Sequence, residues 1–199
     1  MRKCFTLFTM HPAKMANEST FIKAVLSSAD IEETYTECRF DNCSLANADT
    51  GNTDFHNCVF SACNMSMIKI GGSMHDVEFR NCQMMGADFS QLNKFSSNLS
   101  FIDCNLDYAI FTHLKLRGSV FRRCRLFDAT FDESDLTAVS FDECNLERTS
   151  FYHCNLEKTD FSTACNYTIN PNDCKLKKTI FSENGLRGLV SHLNIIIKD

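Results

Sequence analysis

The chain has 199 residues, 44% of them hydrophobic, and a formal net charge of −5 at pH 7. That length suits a single domain, and the acidic balance argues against a protein that reads nucleic-acid phosphates. No apolar run is long enough to span a membrane. The opening MRKCFTLFTMHPAKM has no small-residue cleavage site, so a signal peptide is not expected.

Residues 1–20 show no period and are read as a lead-in or cap. From Phe21 a large apolar residue recurs every fifth position, and residues 21–181 are assigned to one repeating unit. Phe21, Leu26 and Ile31 open the frame. After a one-residue slip it continues through Tyr35, Phe40, Leu45, Thr50, Phe55, Phe60, Met65 and Ile70. A second slip at Gly71-Gly72-Ser73 leads to Met74, Phe79, Met84 and Phe89. Ser90–Ser100 holds two residues more than two units need, so a bulge is expected there, with Phe95 inward. From Phe101 to Phe161 the frame is unbroken, and Phe and Leu alternate strictly. Asn166 and Pro171 then occupy large positions, so the edge at NYTINPND should bulge before Leu176 and Phe181 restore the period.

Neither a helix nor a flat strand has a five-residue apolar period; a fixed repeat of this kind signals a stacked solenoid. Two positions before each large residue sits a small one, among them Cys104, Ala109, Ser119, Cys124, Ala129 and Ser134. Each unit is therefore one edge of a square coil. Four edges make a coil of twenty residues, and coils stack at ~4.8 Å. Strict alternation puts Phe on two opposite edges and Leu on the other two.

Twelve cysteines would ordinarily suggest disulfides or a metal. Ten of them, Cys38, Cys43, Cys58, Cys63, Cys82, Cys104, Cys124, Cys144, Cys154 and Cys174, fall in the small inward position, and only Cys4 and Cys165 do not. They are read as packing residues, stacked in columns, in a reducing cytoplasmic setting. No catalytic motif, cofactor site or metal site is found; His113 and His153, with Glu133 between them, form at most a surface ladder.

Residues twenty apart are vertical neighbours, which pairs Arg122 with Asp142, Arg123 with Asp103 and Glu143, Lys115 with Asp135, Asp128 with Arg148, and Glu157 with Lys177. Asp107, Asp132, Glu147 and Asp160 have no cation in their columns and are the candidate partner-binding carboxylates. Asp30, Glu32, Glu33, Glu37, Asp41, Asp49 and Asp54 crowd the first coils. In residues 182–199, Ser182 is placed to cap a helix with Leu186, Leu189, Val190 and Leu193 on one face. Asn194 ends it, and Ile195, Ile196 and Ile197 read as a short strand. This apolar tail is expected either to cap the solenoid end or to pair with a second copy.

Units such as CNLER, CNLEK and ADFSQ resemble the pentapeptide-repeat proteins. That resemblance implies an all-β fold, a right-handed quadrilateral parallel β-helix, here with a short C-terminal helix and strand. The order of GADF, CNLDYAIF, DFSTACNYTINPNDCKLKKTIF and a terminal IIIKD is similar to the Qnr and mycobacterial fluoroquinolone-resistance branch. The branch implies a non-enzymatic homodimer joined through the tail. It implies a mimic of duplex DNA that binds DNA gyrase or topoisomerase IV and modulates it or protects it from quinolones. Gram-negative Qnr proteins carry two projecting loops, and here only the Gly71-Gly72 slip and the Ser90–Ser100 bulge stand at those points. A β-helix scaffold for an unrelated protein partner is the competing reading.

Overall fold

The computed structural model describes residues 15–93, 97–193 and 195–198; the expectations for residues 1–14, including Cys4, and for Phe95 and Asn194 lie outside them. The chain winds as a right-handed four-sided β-helix. Every pairing between its short strands is parallel, with most partners nineteen to twenty residues apart. The ladder begins at Met15–Asn17, which pairs with Thr34–Thr36.

The corners explain the period. In nearly every edge the second residue after the large one has a positive φ, as at Asp103 (55°), Tyr108 (60°), His113 (60°) and Gly118 (68°). On many edges the next N–H, that of the small inward residue, donates back to the large residue's carbonyl, for example Ala109 to Leu106 at 3.1 Å. This is a hydrogen-bonded turn with a left-handed third residue. A side chain larger than the small ones found after it would collide with the inner wall.

Four columns of large residues fill the axis. Tyr35 and Phe55 belong to the first face, and Leu116, Leu136, Leu156 and Leu176 continue it. Phe21, Phe40, Phe60, Phe79, Phe101, Phe121, Phe141, Phe161 and Phe181 form one continuous stack on the second, with ring centroids 4.5–5.5 Å apart. Leu45, Met65, Met84, Leu106, Leu126 and Leu146 line the third, and Phe89, Phe111, Phe131 and Phe151 stack on the fourth. Rings of the second and fourth faces meet edge to face, as Phe121 and Phe131 do at 5.6 Å and 87°. In the first coils the second aromatic column, Tyr35 and Phe55, lies on the adjacent first face instead.

The small position does more than make room. Its hydroxyl or thiol donates to the carbonyl of a large residue in the preceding coil: Ser134 to Phe111 at 2.6 Å, Thr149 to Leu126 and Thr159 to Leu136 at 2.7 Å, Cys154 to Phe131 at 3.0 Å. Cys43, Cys63, Cys82, Cys104, Cys124 and Cys144 occupy this position in successive coils of one column, all buried and all free. The cysteines are thus small, apolar and able to donate at once, which a disulfide would prevent. Burial pushes the Cys58 thiol up to about 11 and that of Cys154 to about 12. Cys82 and Cys104 are raised to about 12, first by the hydrogen bond to the next thiol of the ladder, then by burial.

The irregular points follow the glycines and the terminal bulge. At Gly71 a Cβ would lie 2.4 Å from the Gly51 carbonyl oxygen, and at Gly72 (φ 67°) 2.2 Å from that of Thr53, so the nineteen-residue coil closes only without side chains. Leu92 and Leu99 turn inward on either side of the expected bulge. At the C-terminal end Asn166 and Pro171 leave the axis, and Tyr167 and Ile169 are buried instead.

The tail is helical from Asn184 to Leu193 but only in short turns, a single α-turn at Arg187–Val190 between two 3-10 turns. Ser182 Oγ accepts from the Gly185 N–H at 3.2 Å. The anticipated strand at Ile195–Ile197 does not form, because among the described residues no strand lies beside it. Gly185 and Gly188 seat the tail on Tyr167, where a Cβ would lie 1.8 Å from the phenol oxygen or 2.2 Å from the Tyr167 carbonyl oxygen. No helix among the described residues is long and apolar enough to cross a membrane.

Two measurements test this core. Phe131 is fully buried between Phe111 and Phe151, and Phe131→Ala should cost about 3–5 kcal/mol in urea unfolding, since stacked coils cannot close on a ring-sized void. A loss below about 1 kcal/mol would show that the ring is not part of a continuous stack. The raised thiols make the second. Their contribution to stability is complete below the unfolded thiol value of about 8.5 and is lost as pH rises toward about 11–12. Unfolding free energy should therefore fall above about pH 9, by up to about 1.4 kcal/mol per pH unit for each such thiol. Of the cysteines among the described residues, only exposed Cys165 should label rapidly in the native state.

Candidate partner-binding surface

Surface charge is set by the two positions flanking each large residue and by the corner that follows. Three of the anticipated vertical pairs form: Arg122 to Asp142 at 2.9 Å, Arg123 to Asp103 at 2.6 Å and Arg148 to Asp128 at 2.7 Å. Arg148 also covers the ring of Phe127 at 5.4 Å. Glu143 forms no ion pair but adds to the field on Arg123. His113 meets Glu133 at 3.3 Å, whereas His153 packs on Tyr152 and does not join them.

Two pairs differ from the vertical rule. Asp135 is bound by Arg117 at 2.6 Å, not by Lys115. Glu157 and Lys177 do not pair. Burial works to raise the Asp135 carboxyl, but hydrogen bonds from Thr137 and Arg117 outweigh it and hold that group below the usual range. Arg117 precedes Asp135 by eighteen residues, a diagonal step from one coil to the next that a long guanidinium side chain spans.

The same diagonal removes Asp107 from the candidate carboxylates. Asp107 is only 2% exposed. It accepts from Arg125 Nε at 3.0 Å in a two-pronged ion pair and from the Phe127 N–H at 3.1 Å. Its expected lack of a cationic neighbour rested on the column alone. Asp132 is half-buried, with Tyr152 N–H at 2.9 Å and Ser150 Oγ at 2.5 Å. Asp160 accepts from the Ser162 N–H at 2.8 Å. Glu147 is exposed beside a groove of about 600 Å³ that Cys165, Tyr167 and Arg187 also line. These residues lie on the fourth, second and third faces respectively, so the coil geometry does not gather them into one strip.

The sequence charge divides unevenly along the axis. Residues 15–93 carry eleven carboxylates against four lysines and arginines, a surplus of seven negative charges. Residues 97–198 carry thirteen against twelve. In the first coils Glu18, Glu32, Glu33, Glu37 and Asp41 have no ion pair and no side-chain hydrogen bond among the described residues. Glu18 and Glu37 stand directly above one another at left-handed corners, and Asp76 continues their column two coils on. Asp49 and Asp54 are also acidic here but accept local bonds, from Gly51 and from Ser73. The sequence already crowds Glu32, Glu33, Glu37 and Asp41 into these coils; the corner column adds Glu18 and Asp76. The tail leaves Leu186, Leu193, Ile195, Ile196 and Ile197 exposed, Ile196 at 89%, while Leu189 and Val190 are half-buried. No group of three or more metal-binding side chains occurs among the described residues.

A family model for a pentapeptide repeat region matches residues 72–151, and one for pentapeptide repeats (8 copies) matches residues 38–73. No curated protein sequence matches the chain significantly. Among solved structures, a trypsin-treated variant of QnrB1, a plasmid-mediated fluoroquinolone resistance protein, superposes with a TM-score of 0.61 at 18% identity. The match covers 94% of this chain and 100% of that one. Full-length QnrB1 gives 0.55 at 17% identity, over 91% and 100%. At these identities the likeness is one of fold. The two family models together span more than half of the chain, in the coils whose corners and inward columns are described above, and the chain belongs to the pentapeptide-repeat proteins.

Proposed function

We propose that this protein is a non-enzymatic rod that binds a type II topoisomerase, DNA gyrase or topoisomerase IV, in place of duplex DNA. The observation that carries the reading is the surplus of seven negative charges on residues 15–93, much of it on carboxylates that no internal cation neutralises. Fixed at coil spacings of ~4.8 Å, they form a field able to steer a DNA-binding surface. The fold similarity to a fluoroquinolone resistance protein supports the choice of partner. The binding surface assigned here is the N-terminal coils, with Glu18, Glu32, Glu33, Glu37 and Asp41, rather than Asp132, Glu147 and Asp160. The paired second half, where arginines and aspartates alternate, favours the alternative of a scaffold for another protein partner. Supporting a homodimer, the exposed tail leucines and isoleucines are more apolar surface than one rod end needs. Two rods of roughly 40 Å joined end to end would span about 80 Å.

Binding to DNA-free gyrase should be measurable at low salt and weaken steeply as salt rises. Replacing Glu18, Glu32, Glu33 and Glu37 with Gln and Asp41 with Asn should weaken it at least about tenfold while melting is kept. The same change should abolish any effect on supercoiling, with or without a quinolone. No binding at low salt, or full binding by the neutralised chain, would favour the scaffold reading. For the dimer, Ile196→Asp should give monomers in light scattering, since the charge enters a two-fold interface twice. A wild-type monomer at micromolar concentration would overturn it.

A further inference from the structure

The overall charge of −5 conceals a cationic corner near the C-terminal end. Every arginine from Arg117 to Arg148 has a carboxylate partner. Among the described residues none of Lys115, Lys158, Lys175, Lys177 and Lys178 has one, and all five are exposed. Four of these lysines fall on two successive coils. Lys175 lies beside Asn155 in the ladder, and the Lys158 N–H donates to the Lys177 carbonyl at 3.1 Å, which sets Lys158, Lys177 and Lys178 at one corner of the first face. Lys115 extends the same face three coils earlier, about 14 Å along the axis. Of the carboxylates nearby, Glu157 stands one coil before Lys177 without pairing, Asp135 is held by Arg117, Asp160 accepts from the Ser162 backbone and Asp173 accepts from the Asn170 amide.

We propose that Lys158, Lys175, Lys177 and Lys178 form a docking corner for the phosphate backbone of duplex nucleic acid. Like charges stacked on neighbouring rungs repel, and a ligand with closely spaced negative charge relieves that repulsion along the whole corner. Duplex DNA carries one charge per ~1.7 Å of axis, denser than the carboxylates of a folded acidic surface. Lysines suit this role because each is a mobile point charge without a required fork geometry. The acidic first coils would be repelled, so the duplex meets the rod along the first face of its last coils. In a complex with a DNA-handling enzyme, the acidic coils and this corner would then face different partners. The inference does not depend on the topoisomerase reading, because it concerns the protein and DNA alone.

The test is fluorescence anisotropy of a labelled duplex of roughly 20 base pairs, with the full chain and no enzyme, across a salt series. Binding at low salt is expected, with log K falling against log salt at a slope of roughly −3 to −4, as four phosphate contacts require. Replacing all four lysines with Gln should reduce affinity at least about tenfold and flatten the slope, with melting unchanged or raised because repulsion is removed. Lys23→Gln with Lys69→Gln, on the first coils, should change nothing. Should the fourfold variant fail to fold, Lys178→Glu alone should still weaken binding. No binding by the wild type at low salt, or equal binding by the fourfold variant, would overturn the proposal. Tighter binding of polyglutamate than of the duplex at matched charge would also overturn it, in favour of an acidic protein partner.

Discussion

Each edge of this solenoid has to turn through a corner within two residues, and everything else depends on how that turn is made. A left-handed backbone at the corner costs an L-residue roughly 1 kcal/mol or more. The chain accepts that cost at Glu18, Glu37, Tyr108, Arg123 and many other non-glycine corners. The offset comes from what the corner permits. The small residue after it passes the inner wall, the large residue reaches the axis, and the next coil stacks in register. A coil alone would have neither ladder hydrogen bonds nor ring partners, so the corners are stable only as a stack.

The inward cysteines belong to the same economy of space. A corner carbonyl such as that of Phe131 accepts the Ser134 N–H and, from the next coil, the Cys154 thiol. Serine and threonine make the same bond elsewhere. Alanine fills the position in much of the fourth face, at Ala87, Ala109 and Ala129, where size alone suffices. Among the described residues, the high cysteine count reports a position that wants a small donor in an apolar wall.

Surface function is written on top of this frame with little freedom of backbone. A residue's face and height are fixed by its place in the five-residue unit, and charge can be arranged only by choosing the flanking residues. The second half uses that freedom to cancel charge, arginine against aspartate, and the first half to accumulate it. The lysine corner and the acidic coils lie at opposite ends of the rod, so one average charge describes neither.

The five-residue period determined the solenoid, its four faces, the buried rings from Phe40 to Phe161, the irregular coils at Gly71-Gly72 and near Pro171, and the inward cysteines. The reason is that stacking converts spacing along the chain directly into position in space. Spacing also placed the vertical pairs Arg122–Asp142, Arg123–Asp103 and Arg148–Asp128, but tertiary structure decided the diagonal ones. Spacing places Cα atoms, but an arginine side chain crosses diagonally between coils, so Arg125 reaches Asp107 and Arg117 displaces Lys115 from Asp135. It also decided the tail. Ile195–Ile197 has strand-forming side chains, yet a strand requires a neighbouring strand to hold its hydrogen bonds, and among the described residues the folded chain offers none at that end.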